Sequence, residues 1–245
     1  MNSKRVYRQE DGGLRLTYFS VKVKDTDLWI AVNSESYKDD LPACTEQVVW
    51  NQRRRLEAYL TANSYLFAAL EPCLLESDSP EIIRVMAGSA NRAGVGPMAA
   101  VAGAFAEAVG KYLQNFSPEV VVENGGDIYI KAIEPVNVGI YAGKSPLSGK
   151  LALKVDPDQT PLGVCTSSGT IGPSLSLGQA DAAVVLSSST PLADAAATAL
   201  GNRVRDASDL EPALKYIQTI EGISGALLIY QDKIAAWGAI ELIRI

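Results

Sequence analysis

Near the start of the chain, apolar residues alternate loosely with polar ones: Leu14, Leu16 and Tyr18, then Phe19, Val21 and Val23. The run Leu28-Trp29-Ile30-Ala31-Val32 follows after Asp25-Thr26-Asp27. Alternation interrupted by a short polar turn predicts a β-hairpin over residues 14–32. Residues 33–42 are polar and read as a loop. From 45 to 62 the period lengthens to that of a helix, with Thr45 as its N-cap and Val49, Leu56 and Leu60 on one face. A second helical stretch, 65–70, stops before Pro72. Asp78-Ser79-Pro80-Glu81 predicts a further helix start, Ser79 capping and Pro80 in the first turn, leading into residues 82–90. Beyond the glycine-rich turn at 91–97, Met98, Ala102, Phe105, Val109 and Leu113 recur at steps of three and four, the stripe of a core-facing helix.

The second half returns to short apolar runs. Val120-Val121-Val122 reads as a buried strand, Asn124-Gly125-Gly126-Asp127 as a turn, and Ile128-Tyr129-Ile130 as the returning strand. Residues 136–141, 151–155, 163–166 and 182–186 are further short strands. Ser189-Thr190-Pro191 opens a helix that runs to Leu200 and stops at Gly201-Asn202. Residues 210–217 form a short helix, and 226–230 with 234–240 a closing hairpin. Strands cluster into hairpins and helices into groups, without regular βαβ alternation. That predicts an α+β fold with helices on one face of largely antiparallel sheets. No repeat or long linker divides the chain, so residues 1–245 are expected to form a single domain.

Composition removes more chemistry than it adds. Histidine is absent from all 245 residues. No Ser-His-Asp triad, Cys-His dyad or histidine metal site is therefore available, and acid–base work falls to Asp, Glu, Lys, Tyr, Cys or water. The three cysteines, Cys44, Cys73 and Cys165, have no zinc-ligand spacing, and their odd number speaks against a disulfide framework. A formal charge of −6 repels a phosphate backbone, so no nucleic-acid partner is expected. Residues 1–8 lack the apolar core of a secretory signal, and no stretch has the uninterrupted apolar length of a membrane span. The expectation is a cytoplasmic protein without a membrane partner, with homo-oligomerisation left open.

Four segments carry candidate chemistry. Gly94, Gly96, Pro97 and Met98 lie in a glycine-rich turn before a helix of small residues, a place where backbone N–H groups approach an anion. A tight turn into a close-packed helix explains the same residues. Glu123-Asn124-Gly125-Gly126-Asp127 is a hairpin turn flanked by two carboxylates that turn chemistry alone does not need. Cys165-Thr166-Ser167-Ser168-Gly169-Thr170 places hydroxyls and a glycine at a strand end, suited to a phosphate or sugar edge or to an ordinary turn. Asp194 and Thr198 stand four apart on one helix face, oxygen ligands suited to Mg²⁺, or else a dipole-complementing acid and a back-bonded threonine.

In order, ENGGDI at 123–128, CTSSG at 165–169 and ADAAATALG at 193–201 resemble the motifs of the ApbE-type flavin transferases, with the glycine-rich segment 94–103 similar to that family's helix upstream of its GGD turn. The match spans residues 93–201. The whole chain resembles most closely a compact prokaryotic branch related to that family. The resemblance implies an ApbE-like (T-fold-like) mixed fold, FAD as ligand, Mg²⁺ as metal, and chemistry that moves FMN from FAD to a protein threonine with release of AMP. It places Asp194 and Thr198 on the metal-ligating positions. Gly94, Gly96, Pro97, Met98, Asn124, Gly125, Gly126, Asp127, Thr166, Ser167, Ser168 and Gly169 fall around the flavin or nucleotide. The family carries a histidine segment between its TSG and AD motifs. Here the interval reads IGPSLSLGQAD, residues 171–181, so Asp181 or Asp127 would have to serve as base. Transfer to a protein, hydrolysis of the FAD pyrophosphate, a different carboxylate-based reaction in the same pocket, and a binding module that has lost transfer remain alternatives.

Overall fold

The computed structural model describes residues 15–169 and 177–245; residues 1–8, Leu14, Thr170 and the 171–176 part of the histidine-free interval lie outside them. Strands β1 (Leu16–Val23) and β2 (Thr26–Asn33) form the first hairpin. The turn is tighter than expected, because Lys24 takes a left-handed conformation at φ 54° and the strand resumes at Thr26. Helices α1 (Leu41–Ala62), α2 (Tyr65–Ala68), α3 (Glu81–Ala93) and α4 (Val101–Leu113) follow, then the hairpin of β3 (Val120–Asn124) and β4 (Asp127–Lys131). Next come β5 (Val136–Gly139), β6 (Leu151–Val155), β7 (Leu162–Ser167), β8 (Ala182–Ser187), α5 (Thr190–Gly201) and α6 (Leu210–Ile217). The chain closes with β9 (Ile223–Tyr230), β10 (Lys233–Gly238) and β11 (Leu242–Arg244).

Eight strands form one sheet in the order β1-β2-β3-β4-β7-β8-β9-β10, every pair antiparallel. A three-stranded sheet, β11-β6-β5, is also antiparallel. The α+β expectation holds, and alternation along the central strands explains the layering. In β8, Ala183 and Val185 face the helices, while Ala182, Val184 and Leu186 face the small sheet, where they meet Leu153 and Val155. A strand covered on both faces reads as a continuous apolar run rather than an alternating one.

Three helix starts differ from expectation. Helix α1 begins at Leu41, four residues early, with Pro42 in its first turn. Thr45 is therefore an interior residue, buried, its hydroxyl donating to the Leu41 carbonyl at 2.7 Å. Ser79 precedes α3 but caps nothing; its hydroxyl bonds Glu76 O and Tyr59. The helix expected from the 98–113 stripe also opens late: residues Pro97–Ala100 form a 3-10 turn, and the α-helix proper opens at Val101. Among the described residues no single helix is long and apolar enough to cross a membrane.

Candidate functional site

The site is built where α4 and α5 cross. They run antiparallel and close, which two small residues permit. A Cβ on Gly103 would stand 2.6 Å from the Thr190 carbonyl oxygen and 2.8 Å from Asp194 Cβ. A Cβ on Gly163 of β7 would meet Thr190 Cα at 2.5 Å. Only glycine at those positions seats the first turn of α5 against both the helix and the sheet.

Each helix then caps the other. Asp194, one turn into α5, accepts a hydrogen bond from the Gly103 N–H at 2.8 Å, and the Ala102 amide also bonds it. Glu107, one turn further along α4, accepts from the Thr190 N–H at 2.7 Å. Neither helix has a side-chain cap of its own, so the first N–H groups of each are satisfied by a carboxylate of the other.

The GGD turn joins this crossing from the sheet. Asn124 and Asp127 are the last paired residues of the β3–β4 hairpin, and Gly125 and Gly126 form the two-residue loop at φ 73° and 115°. Alternation puts Asn124 on the helix-facing side, where its amide donates to the Ala102 carbonyl at 3.1 Å. Glu123 reaches round the turn to accept from the Gly126 N–H at 3.1 Å. Asp127 pairs with Cys165 in the β4–β7 ladder, so carboxylate and thiol lie side by side under α5. The thiol is 3.4 Å from the Thr190 carbonyl.

Electrostatically this is a buried acidic cluster. Burial lifts Asp127 from its ordinary 3.8 to about 7; hydrogen bonding from Cys165 and the Thr166 amide pulls the other way, and the Glu123 charge adds to the rise. Burial, followed by the Asp127 charge, holds Asp194 well above the usual carboxylate range against the pull of the Gly103 and Ala102 amides. The Cys165 thiol is pushed far up, first by burial and then by the charges of Asp127 and Asp194. It is a packing group here, not a nucleophile.

The TSSG segment lies at the same end of β7. Thr166, Ser167 and Ser168 are half-buried. A Cβ on Gly201, at the end of α5, would approach Ser167 Oγ to 3.5 Å, and one on Gly126 would stand 3.8 Å from the Thr166 carbonyl oxygen. Gly169 serves close backbone packing: its N–H donates to the Ala180 carbonyl at 2.9 Å, and a Cβ there would meet Gly178 O at 2.2 Å. Thr198, half-buried, lies one turn beyond Asp194 towards this loop.

Two groups of expected residues are placed differently. Gly94 is the left-handed C-cap of α3, at φ 68°, its N–H directed to the Ala90 and Asn91 carbonyls, and a Cβ there would stand 3.0 Å from the Tyr216 hydroxyl. Gly96 and Pro97 are buried, and a Cβ on Gly96 would meet the Ala69 carbonyl oxygen at 1.8 Å. The amides that meet an anionic group are those of Ala102 and Gly103, because the α-helix starts four residues later than Pro97; Met98, half-buried, lies in the 3-10 turn between. Asp181, at the start of β8, accepts from the Gln231 N–H at 2.6 Å and holds the β9–β10 turn. Glu107 was not among the expected residues. Its signal was present: a carboxylate inside the otherwise small and apolar stretch VAGAFAEAVG.

Among the described residues, no three His, Cys, Asp or Glu side chains are grouped as a metal would need. The donor set here is two oxygens, Asp194 and Thr198. That fits Mg²⁺ only where phosphate oxygens and water complete the shell.

A family model described as AbpE bacteria matches residues 7–236. A UPF0280 protein of Methanocella arvoryzae is 45% identical over 205 residues, covering 80% of each chain. Another from Methanosarcina acetivorans is 40% identical, covering 89% of this chain and 85% of its own. Among solved structures, the Pseudomonas stutzeri flavinyl transferase ApbE in its apo form superposes with a TM-score of 0.53 at 16% identity, covering 91% of this chain and 94% of that one. The Vibrio cholerae flavin transferase ApbE gives 0.54 at 14% identity, with 91% and 96% covered.

Proposed function

The chain belongs to the AbpE bacteria family, an ApbE-like family, and from that premise we propose that it binds FAD together with Mg²⁺ at the crossing of α4 and α5 and acts on the pyrophosphate. The observation that supports this reading is the meeting of three separated motifs along α5 and the start of α4: Asn124 of the GGD turn bonds the Ala102 carbonyl, the charges of Asp127 and Asp194 both reach Cys165 of the TSSG strand end, and Asp194 of the AD helix accepts from the Gly103 N–H. Turn chemistry and helix packing account for each motif alone but do not require them to meet.

Asp194 and Thr198 would hold the metal. Bound there, Mg²⁺ supplies positive charge that neutralises the pyrophosphate oxygens. The chain's own residues do the rest. The Gly103 amide holds Asp194 Oδ2 and the Ala102 amide also bonds the carboxylate, which fixes its position at the start of α4. The half-buried hydroxyls of Thr166, Ser167 and Ser168 line the edge at which an anionic ligand would lie. Asp127, lifted to about 7, is poised to hold or accept a proton near neutral pH. That role falls to Asp127 rather than Asp181, whose carboxylate is taken by the Gln231 amide.

Binding without transfer is the second reading, favoured by the complete absence of histidine. Fluorescence quenching of FAD on titration with protein tests the site. Asp194→Ala should weaken binding by about 1.5–3 kcal/mol in the presence of Mg²⁺, the scale of a hydrogen bond to a charged group, and change it little in EDTA. Equal binding by wild type with and without Mg²⁺ would remove the metal from the proposal. Detection of AMP after incubation with FAD and Mg²⁺ separates reaction from binding, and flavin left free in solution distinguishes hydrolysis from transfer.

A further inference from the structure

At the crossing of α4 and α5 two hydroxyls are fully buried and have no hydrogen-bond partner among the described residues: Tyr129 Oη and Thr190 Oγ1. Tyr129 is 1% exposed and Thr190 0%. They belong to one neighbourhood. Tyr129 pairs across the ladder with Gly163, and a Cβ on Gly163 would lie 2.9 Å from Thr190 Oγ1. The Tyr129 ring crosses α4 over Gly110, where a Cβ would meet the ring at 2.1 Å. Glu107, one turn earlier on α4, takes the Thr190 N–H on Oε2 and the Lys111 ammonium on Oε1. Its charge also reaches the Tyr129 hydroxyl and adds to the effect of burial in lifting it to about 12.

An isolated buried hydroxyl costs free energy comparable to a lost hydrogen bond, and folded proteins rarely leave two together. From this juxtaposition we propose that one water molecule is bound between Tyr129 Oη, Thr190 Oγ1 and the Glu107 carboxylate, at the N-terminus of α5. The balance of donors and acceptors favours water. The two hydroxyl protons find its lone pairs, and its own protons find the Glu107 carboxylate. A monovalent cation would take oxygen lone pairs but leave both hydroxyl protons without acceptors, and it would sit at the positive end of α5. The bound water joins β4, α4 and the first turn of the helix that carries Asp194. This inference is independent of whether the chain binds FAD.

A crystal structure of the full chain, refined at a resolution that shows ordered solvent and repeated with crystals soaked in a thallium(I) salt, tests it. The expected result is one solvent peak within hydrogen-bonding distance of both hydroxyls and without anomalous signal. No peak there would overturn the proposal, as would a thallium signal, which would make the site a cation site. In solution, water relaxation dispersion should count one long-lived internal water fewer in the Tyr129→Phe, Thr190→Val double variant than in wild type. An unchanged count overturns the proposal, and if that variant does not fold, the wild-type crystal decides.

Discussion

Asp127→Asn should make the protein more stable at alkaline pH than wild type and leave it little changed in acid. In the native state burial holds Asp127 at about 7, against 3.8 for the ordinary group. Between those values the unfolded chain has released a proton that the native state keeps, so the native state binds more protons and stability falls as pH rises. The loss is nil below 3.8 and complete above about 7. At about 1.4 kcal/mol per pH unit, the interval is worth at most about 4 kcal/mol. Asparagine cannot ionise and escapes that loss. It also replaces a carboxylate oxygen that accepts from the Thr166 amide, a cost of about 1 kcal/mol that does not vary with pH. The informative quantity is therefore the change in the difference between variant and wild type. Urea unfolding in EDTA at intervals from about pH 4 to about pH 8 should show the variant gaining on wild type by as much as about 4 kcal/mol. Two parallel stability curves across that range would refute the reasoning, since they would mean that Asp127 titrates alike in folded and unfolded chains.

Gly103→Ala should cost about 1–3 kcal/mol or more, because its methyl must displace the Thr190 carbonyl or Asp194 Cβ, and a shift in the urea midpoint reads it. An unchanged midpoint would mean that α4 and α5 are not held at the separation described. Asn124→Ala removes the tie from the GGD hairpin to the Ala102 carbonyl; it should lower stability by about 1 kcal/mol and leave the carbonyl without its side-chain partner, both visible by denaturation and amide exchange. Limited proteolysis should yield no pair of separately stable halves, since β2 from the first half of the chain pairs with β3 in the large sheet and α5 from the second half packs on α3 and α4 from the first.

Much of this arrangement was legible in the sequence because it rests on local rules. The β3–β4 turn needed only Gly125 and Gly126 between two short apolar runs, and α6 needed only its apolar spacing. What escaped was set by partners far along the chain. Thr45 is the local exception: it looks like a cap until Pro42 is seen to sit in the first turn of a helix already begun. The three residues of β11 are too few to show a period, and they are a strand only because β6 pairs with them. Asp181 and Gly94 carry the right side chain or backbone freedom for a site, yet the Gln231 amide holds the first and the end of α3 uses the second. The same limit hid Glu107, whose partner is an amide in another helix. The motif order did point to residues that meet, because a strand end, a hairpin turn and a helix start are the parts of a sheet-and-helix fold that gather at one edge.

The crosswise capping of α4 and α5 also bears on the order of assembly. Its two hydrogen bonds join residues 91 and 83 positions apart, so neither can form until β3, β4, β7 and β8 have been laid side by side. Contacts of such long separation pay their loop-closure entropy before they return anything. The first turns of both helices should then be among the last parts to settle as the chain folds and among the first to loosen as it unfolds. Weakening either carboxylate would raise the unfolding rate while leaving the folding rate nearly alone. The polar centre of the molecule would thus govern how long the native state lasts rather than how quickly it is reached.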